Sequence, residues 1–230
     1  MQLAEQPFNC VHCGKSFMKE KTLFAHMCEP KRRAMQKDEK RVQTGFYAFN
    51  QFYKIKQGAR KQKTYDEFCK SSYYNAFVKF GSFVNNAIPI YPDKFVDFVI
   101  RSDVKLDHWC RDELYDTYLF EMLKIEPVEN AVQRTIQHMM EWGDSQSANF
   151  AHYFLYVNLN RAVNDIRNGR ISPWVILNCN SGKDMINKFN DEQLDIIAPA
   201  FDVAFWLKKF KSVPADVALV KEICNEAGIE

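Results

Sequence analysis

Between Phe8 and Arg33 the chain reads FNCVHCGKSFMKEKTLFAHMCEPKRR. A stretch this short and this charged cannot build a hydrophobic core, so its shape must come from another source. Its cysteines and histidines offer one. Cys10-x-x-Cys13 has the spacing of a metal-binding knuckle; Phe17 follows four residues after the second cysteine, Leu23 six after that, and His26 three later. In a ββα finger two cysteines on a hairpin and two ligands on the following helix close a tetrahedron around Zn²⁺, while a Phe and a Leu between them form the miniature core. The spacing matches that pattern as far as His26.

The fourth ligand departs from it. Fingers usually leave three to five residues between their last two ligands, whereas here Cys28 follows His26 after a single residue. Residues two apart on a continuous helix point about 200° from each other, so His26 and Cys28 cannot both face one ion if the helix runs through them. Pro30 suggests the way out. It pushes Glu29 away from helical geometry, so the helix can end at its third ligand and let Cys28 swing back. His12 is the rival ligand, but a residue between two knuckle cysteines points away from the ion they share. The sequence therefore predicts one structural Zn²⁺ on Cys10, Cys13, His26 and Cys28.

Two kinds of partner suit such a module. Aligned on the finger pattern, the positions that reach base edges are Lys19, Thr22 and Ala25, and the adjoining Lys31, Arg32, Arg33, Lys37, Lys40 and Arg41 can meet phosphates. One finger spans only about three base pairs, so specific binding needs more surface. Met18, Phe24 and Met27 would be exposed on an isolated finger, which points to a protein contact instead.

Charge favours the polyanion. Residues 1–70 hold 15 Lys/Arg against 7 Asp/Glu, a net of +8, while the rest of the chain carries −6. Seven cysteines, three of them beside His26 and the others scattered, fit one metal site in a reducing compartment. No apolar run reaches membrane-spanning length, and the start MQLAEQPFNC lacks the features of a secretory signal, so a cytoplasmic location is expected.

After a charged connector at 31–45, read as a solvated helix, the pattern changes to aromatics at helical spacing. Phe46, Phe49 and Tyr53 fall on one face of a predicted helix, with Phe52 beside it. The interleaved lysines give residues 46–63 the composition of a single-strand groove, but such a stripe is more simply the buried face of an amphipathic helix. Helix signals then recur. Thr64 and Glu67 form a capping box; Pro92, Pro127, Pro173 and Pro214 mark first turns; Gly169 and Gly228 mark ends. No stretch alternates with a period of two. The expected fold is mainly α: a ββα module over 1–30, the basic linker over 31–45, and an all-α domain of roughly seven to nine helices over 46–230.

Three places invite a chemical reading and none sustains it. His108 and Cys110 are near neighbours with no third group to orient them, and HMMEW lacks the spacing that sets two imidazoles on one helix face. Gly182-Lys183 has Leu177 where a phosphate loop needs glycine and Asp184 where it needs Ser or Thr. The expectation is a non-enzymatic accessory protein that binds nucleic acid through the finger and basic segment, the alternative being a protein adaptor. No small-molecule substrate is inferred.

The opening CxxCGKxF…L..H.CEPKRR, followed by FVKFGSFV, LDHWCRD, GRISPW and the PAD…EAG ending, resembles zinc-finger proteins encoded by tailed phages of the T-even type. The resemblance implies a phage protein acting in the host bacterial cytoplasm, with Cys10, Cys13, His26 and Cys28 as its ligands.

Overall fold

The computed structural model describes residues 8–230; residues 1–7, which hold most of the stretch that bears on a secretory signal, lie outside the described residues. The fold is mainly helical, with a two-stranded antiparallel sheet near the start. The chain divides into two compact units, one comprising residues up to Ile88 with Pro92–Cys110, the other Pro89–Tyr91 with Arg111–Glu230. That division falls inside the stretch read from sequence as one helical domain.

The first unit opens with β1 (Phe8–Asn9) and β2 (Ser16–Phe17), paired Phe8 to Phe17 and Asn9 to Ser16. Two short helices follow, α1 (Glu20–Ala25) and α2 (Glu29–Met35). Then comes α3 (Lys40–Gln57), whose Val42, Gly45, Ala48 and Phe49 face inward at helical spacing. The connector is thus not one helix: the chain turns at residues 36–39, and α3 starts afresh at Lys40 without a side-chain cap. The expected capping box starts α4 (Tyr65–Lys70), with Thr64 and Glu67 bonded reciprocally.

Next come α5 (Tyr74–Ala87) and α6 (Pro92–Arg101). The centre of this unit is the packing of α3 on α5, and two glycines set its closeness. A Cβ on Gly45 would lie 2.6 Å from the Phe77 carbonyl oxygen, and one on Gly81 would lie 2.7 Å from the Gly45 nitrogen and nearer still to the Arg41 oxygen. With the backbones that near, Phe49, Phe68, Phe77, Phe80 and Trp109 fill the remaining space, Phe68 tilted on Phe49 and the others edge to face, with centroids 5.0–5.7 Å apart. Of the aromatic stripe of α3, Phe49 is buried in this core, while Phe46, Phe52 and Tyr53 are half-buried.

The second unit holds α7 (Asp112–Ile125), α8 (Val128–Gln146), α9 (Tyr153–Tyr156), α10 (Leu159–Arg167), α11 (Pro173–Ile176), α12 (Asn180–Ile186), α13 (Asp191–Ile197), α14 (Val203–Ser212) and α15 (Pro214–Glu226). From α3 onward the described residues form thirteen α-helices, more than the seven to nine expected for that stretch, because many are one or two turns long; eight have nine residues or more. Pro173 opens α11 behind Ser172, whose hydroxyl accepts from the Trp174 N–H, and Trp174 is buried. Gly169 (φ 70°) and Gly228 (φ 71°) close α10 and α15 in the left-handed conformation those ends require.

Between α7 and α8 the buried carboxylate of Glu126 takes a two-pronged grip from Arg134, whose Nη2 lies 2.9 Å from Oε2. Tyr91 donates to the same carboxylate at 3.1 Å, and Arg134 Nε reaches the Gly169 carbonyl at 2.7 Å, so the buried charge is fully met. Among the described residues no helix is long and apolar enough to cross a membrane.

Candidate metal centre

The hairpin makes the first half of the site. Gly14 N donates back to the Cys10 carbonyl at 2.8 Å and Cys10 N to the Lys15 carbonyl at 2.9 Å, with Gly14 at φ 72°. This turn brings Cys10 and Cys13 to one side. It also aims the His12 and Cys13 N–H groups at the Cys10 sulfur; burial raises that thiol's pKa, but these donors outweigh it and hold the group below its ordinary value. The Lys15 N–H favours a thiolate on Cys13, yet burial and the neighbouring sulfurs of Cys10 and Cys28 together push that thiol up. A cation would relieve this crowding of sulfurs.

The second half comes from a break between helices. α1 stops at Ala25; His26 (φ −69°, ψ 120°) and Cys28 (φ −89°, ψ 162°) are extended, and α2 begins at Glu29. The helix does end at the third ligand. Pro30 acts differently from the expectation, however, since Glu29 is not pushed out of helical geometry: Glu29 and Pro30 form the first turn of α2. Extended backbone reverses the side-chain direction at alternate residues, so a chain that reaches inward at His26 reaches inward again at Cys28.

Cys10, Cys13, His26 and Cys28 bring their ligand atoms within 4.8 Å of one another. Cys10 Sγ and Cys28 Sγ are 3.9 Å apart, and Cys13 Sγ and His26 Nε2 are 3.3 Å apart. A tetrahedral ion with bonds of about 2.3 Å to sulfur and about 2.0 Å to nitrogen separates two sulfurs by about 3.8 Å and a sulfur from a nitrogen by about 3.5 Å. These two spacings fit, and the widest pair, at up to 4.8 Å, would close by about 1 Å around such an ion. The imidazole packs on Phe17 with ring centroids 4.8 Å apart. His12 is exposed and lies outside the cluster. Cys10 is the only buried residue from Phe8 to Cys28, so the module has no apolar interior of its own.

The remaining candidates separate by what they touch. Lys19, at the start of α1, and Arg32, in α2, are exposed and hold no ion pair among the described residues; Thr22 is exposed on α1. Lys31 turns back to cap α1, its Nζ donating to the His26 carbonyl at 3.1 Å and the Phe24 carbonyl at 3.4 Å. Arg33 is engaged inside the unit. Its Nη1 donates to the Cys69 carbonyl at 2.7 Å and the Ser71 carbonyl at 3.3 Å, its Nη2 meets Glu29, and the guanidinium lies 4.4 Å above the Tyr74 ring. Lys37 rests on Tyr65, and Arg41 pairs with Glu39 at 2.7 Å. Lys31 and Arg33 thus serve as clamps of the module, a role their basic character alone did not reveal.

Met18, Phe24 and Met27 are 69, 86 and 56% exposed, so these side chains project into solvent. Of the residues weighed for catalysis, His138 meets a carboxylate inside the second unit, that of Asp165, which the sequence did not single out. His138 Nε2 lies 2.9 Å from Asp165 Oδ2, and Tyr153 donates to the same oxygen at 2.8 Å. Burial raises the Asp165 pKa, but His138, Tyr153 and Arg161 outweigh it and hold the carboxyl below its usual range. Burial and the adjacent carboxylate push Tyr153 up. His152 is exposed, and His108 and Cys110 belong to the other unit, where burial raises the Cys110 thiol.

Comparison with protein-family models, with curated proteins and with solved structures gives no match to this chain.

Proposed function

We propose that this is a non-enzymatic nucleic-acid-binding protein whose N-terminal module is held in shape by one Zn²⁺. Three thiolates and one imidazole in a closed tetrahedral set suit Zn²⁺ in a structural role, because no position is left for a substrate or an activated water. The observation that carries the polyanion reading is the division of charge. The unit containing the finger has 19 Lys/Arg against 11 Asp/Glu, a net of +8, whereas the other has 12 against 18, a net of −6. Lys19, Thr22 and Arg32 are the exposed candidates on the module, with Lys37 and Arg41 beside them.

The reading is tested by fluorescence anisotropy of labelled DNA and RNA at two salt concentrations. Binding that falls steeply with salt, and that weakens in Lys19→Ala/Arg32→Ala, is the expected result; no binding of either polymer at low salt would rule the reading out. The exposure of Met18, Phe24 and Met27 favours a second reading, in which the module docks on a partner protein. A stoichiometric protein partner recovered through these side chains, together with no nucleic-acid affinity, would establish it instead.

A further inference from the structure

The first unit also carries a groove of about 670 Å³ whose lining includes five aromatic rings. Phe52 and Tyr53 of α3 form one wall; Phe77 and Trp109 lie at the floor, where Phe52 stands 6.0 Å from each; Tyr73, 59% exposed, stands on the rim. The only charged groups in the lining are Lys105 and Asp107. The volume is in the range of about 300–1,000 Å³ that encloses a small organic molecule, enough for one or two planar bases.

The adjoining turn of α3 faces a second, smaller cleft of about 280 Å³, whose lining includes Lys54, Arg60 and Lys61 and no carboxylate. These three cations hold no ion pair among the described residues, unlike Lys56, which pairs with Asp103, and Lys63, which pairs with Glu67 at 3.0 Å. The two clefts share α3 as a wall, with Phe52, Tyr53 and Gln57 lining one and Asn50, Gln51 and Lys54 the other. Lys63 Nζ lies 5.2 Å from the Tyr53 ring centroid, between cationic loop and aromatic wall.

We infer that the groove of Phe52, Tyr53 and Tyr73 stacks unpaired bases of a single-stranded nucleic acid while Lys54, Arg60 and Lys61 hold its phosphates. A duplex keeps its bases stacked within itself and offers no free π-face to such rings, whereas a single strand offers both a free ring and a charged backbone at each nucleotide. The inference rests on the nucleic-acid reading above and adds to it a second site, on the helices rather than the finger, and a preference for strands that are not base-paired.

The test uses the full zinc-loaded chain and three labelled probes of equal length: oligo-dT, an abasic strand of the same charge, and a mixed-sequence duplex. Stacking of one base changes affinity by roughly tenfold, so oligo-dT should bind at least that much more tightly than the abasic strand. Tyr73→Ala should weaken oligo-dT by a similar factor and leave the abasic strand unchanged, with Tyr73→Phe binding as the wild type does. Replacing Lys54, Arg60 and Lys61 together by Ala should lower the slope of log affinity against log salt by about 2, because each neutralised phosphate of a single strand contributes roughly 0.7 to it.

Equal binding of oligo-dT and the abasic strand with Tyr73→Ala silent, or a preference for the duplex, would overturn the inference and leave nucleic-acid binding standing. No binding of any probe would remove both. A glutamate–tyrosine copolymer that binds more tightly than oligo-dT with the same dependence on Tyr73 would assign the groove to an acidic protein segment and overturn it as well.

Discussion

Replacing Cys28 by Ala tests the metal centre at its least ordinary position. Cys28 Sγ lies 3.9 Å from Cys10 Sγ and belongs to a set of four ligand atoms within 4.8 Å of one another. Structural zinc contributes on the order of 10–16 kcal/mol in finger peptides, so one ligand of four is worth about 3 kcal/mol, or roughly a hundredfold in metal affinity. Cobalt(II) reports the same set directly, since thiolate-to-metal charge transfer scales with the number of sulfurs bound. The variant should keep about two thirds of that absorption, as two thiolates remain of three, and lose the metal to a chelator at about a hundredfold lower chelator concentration. His12→Ala should match the wild type in both. Wild-type affinity and absorption in Cys28→Ala, or a loss of either in His12→Ala, would refute the assignment.

Gly81→Ala should lower stability by about 2–3 kcal/mol, read as an earlier urea midpoint, because the added methyl meets backbone of α3 that only a shift of the whole helix can clear. Arg33→Ala should cost about 2 kcal/mol in the same assay by removing the donor from the Cys69 carbonyl and one of two donors from the Ser71 carbonyl, whereas Arg32→Ala should leave stability unchanged and weaken nucleic-acid binding. Equal effects of the two on stability would contradict the clamp. Asp165 has a folded pKa below its unfolded value of about 3.9, so its contribution is present above that pH and lost as pH falls through the folded value. Unfolding midpoints of the wild type should therefore drop as pH falls below about 4, and that part of the drop should be absent in Asp165→Asn.

Signals that act over three or four residues were legible in the sequence. The Thr64 and Glu67 capping box, Ser172 with Pro173, the helix-ending Gly169 and the Cys10–Cys13 knuckle each complete their chemistry within one turn of chain, so their neighbours in sequence are their partners in space. The ligand quartet was legible for a related reason: the spacing allows few other ways to satisfy one ion. What escaped depends on pairs far apart along the chain. Gly45 and Gly81 show their purpose only when α3 and α5 lie against each other, and Arg33 reads as one more surface cation until Cys69 and Ser71 are placed beside it. The groove was half visible: the α3 aromatics and their lysines were apparent, but its rim and floor come from Tyr73, Phe77 and Trp109, beyond the reach of local periodicity. The break at residues 36–39 carried no Gly or Pro to announce it.

The single residue between His26 and Cys28 has a mechanical result. Cys28 is at once a member of the ligand set and the residue from which α2 starts, and five positions later Arg33 is fastened to the C-terminal end of α4. A finger with a longer tail behind its last ligand can swivel like a bead on thread. Here a metal held by this quartet would be bolted to the frame, so losing it should loosen α2 along with the hairpin, and whatever the module touches is presented at an angle set by the helices behind it.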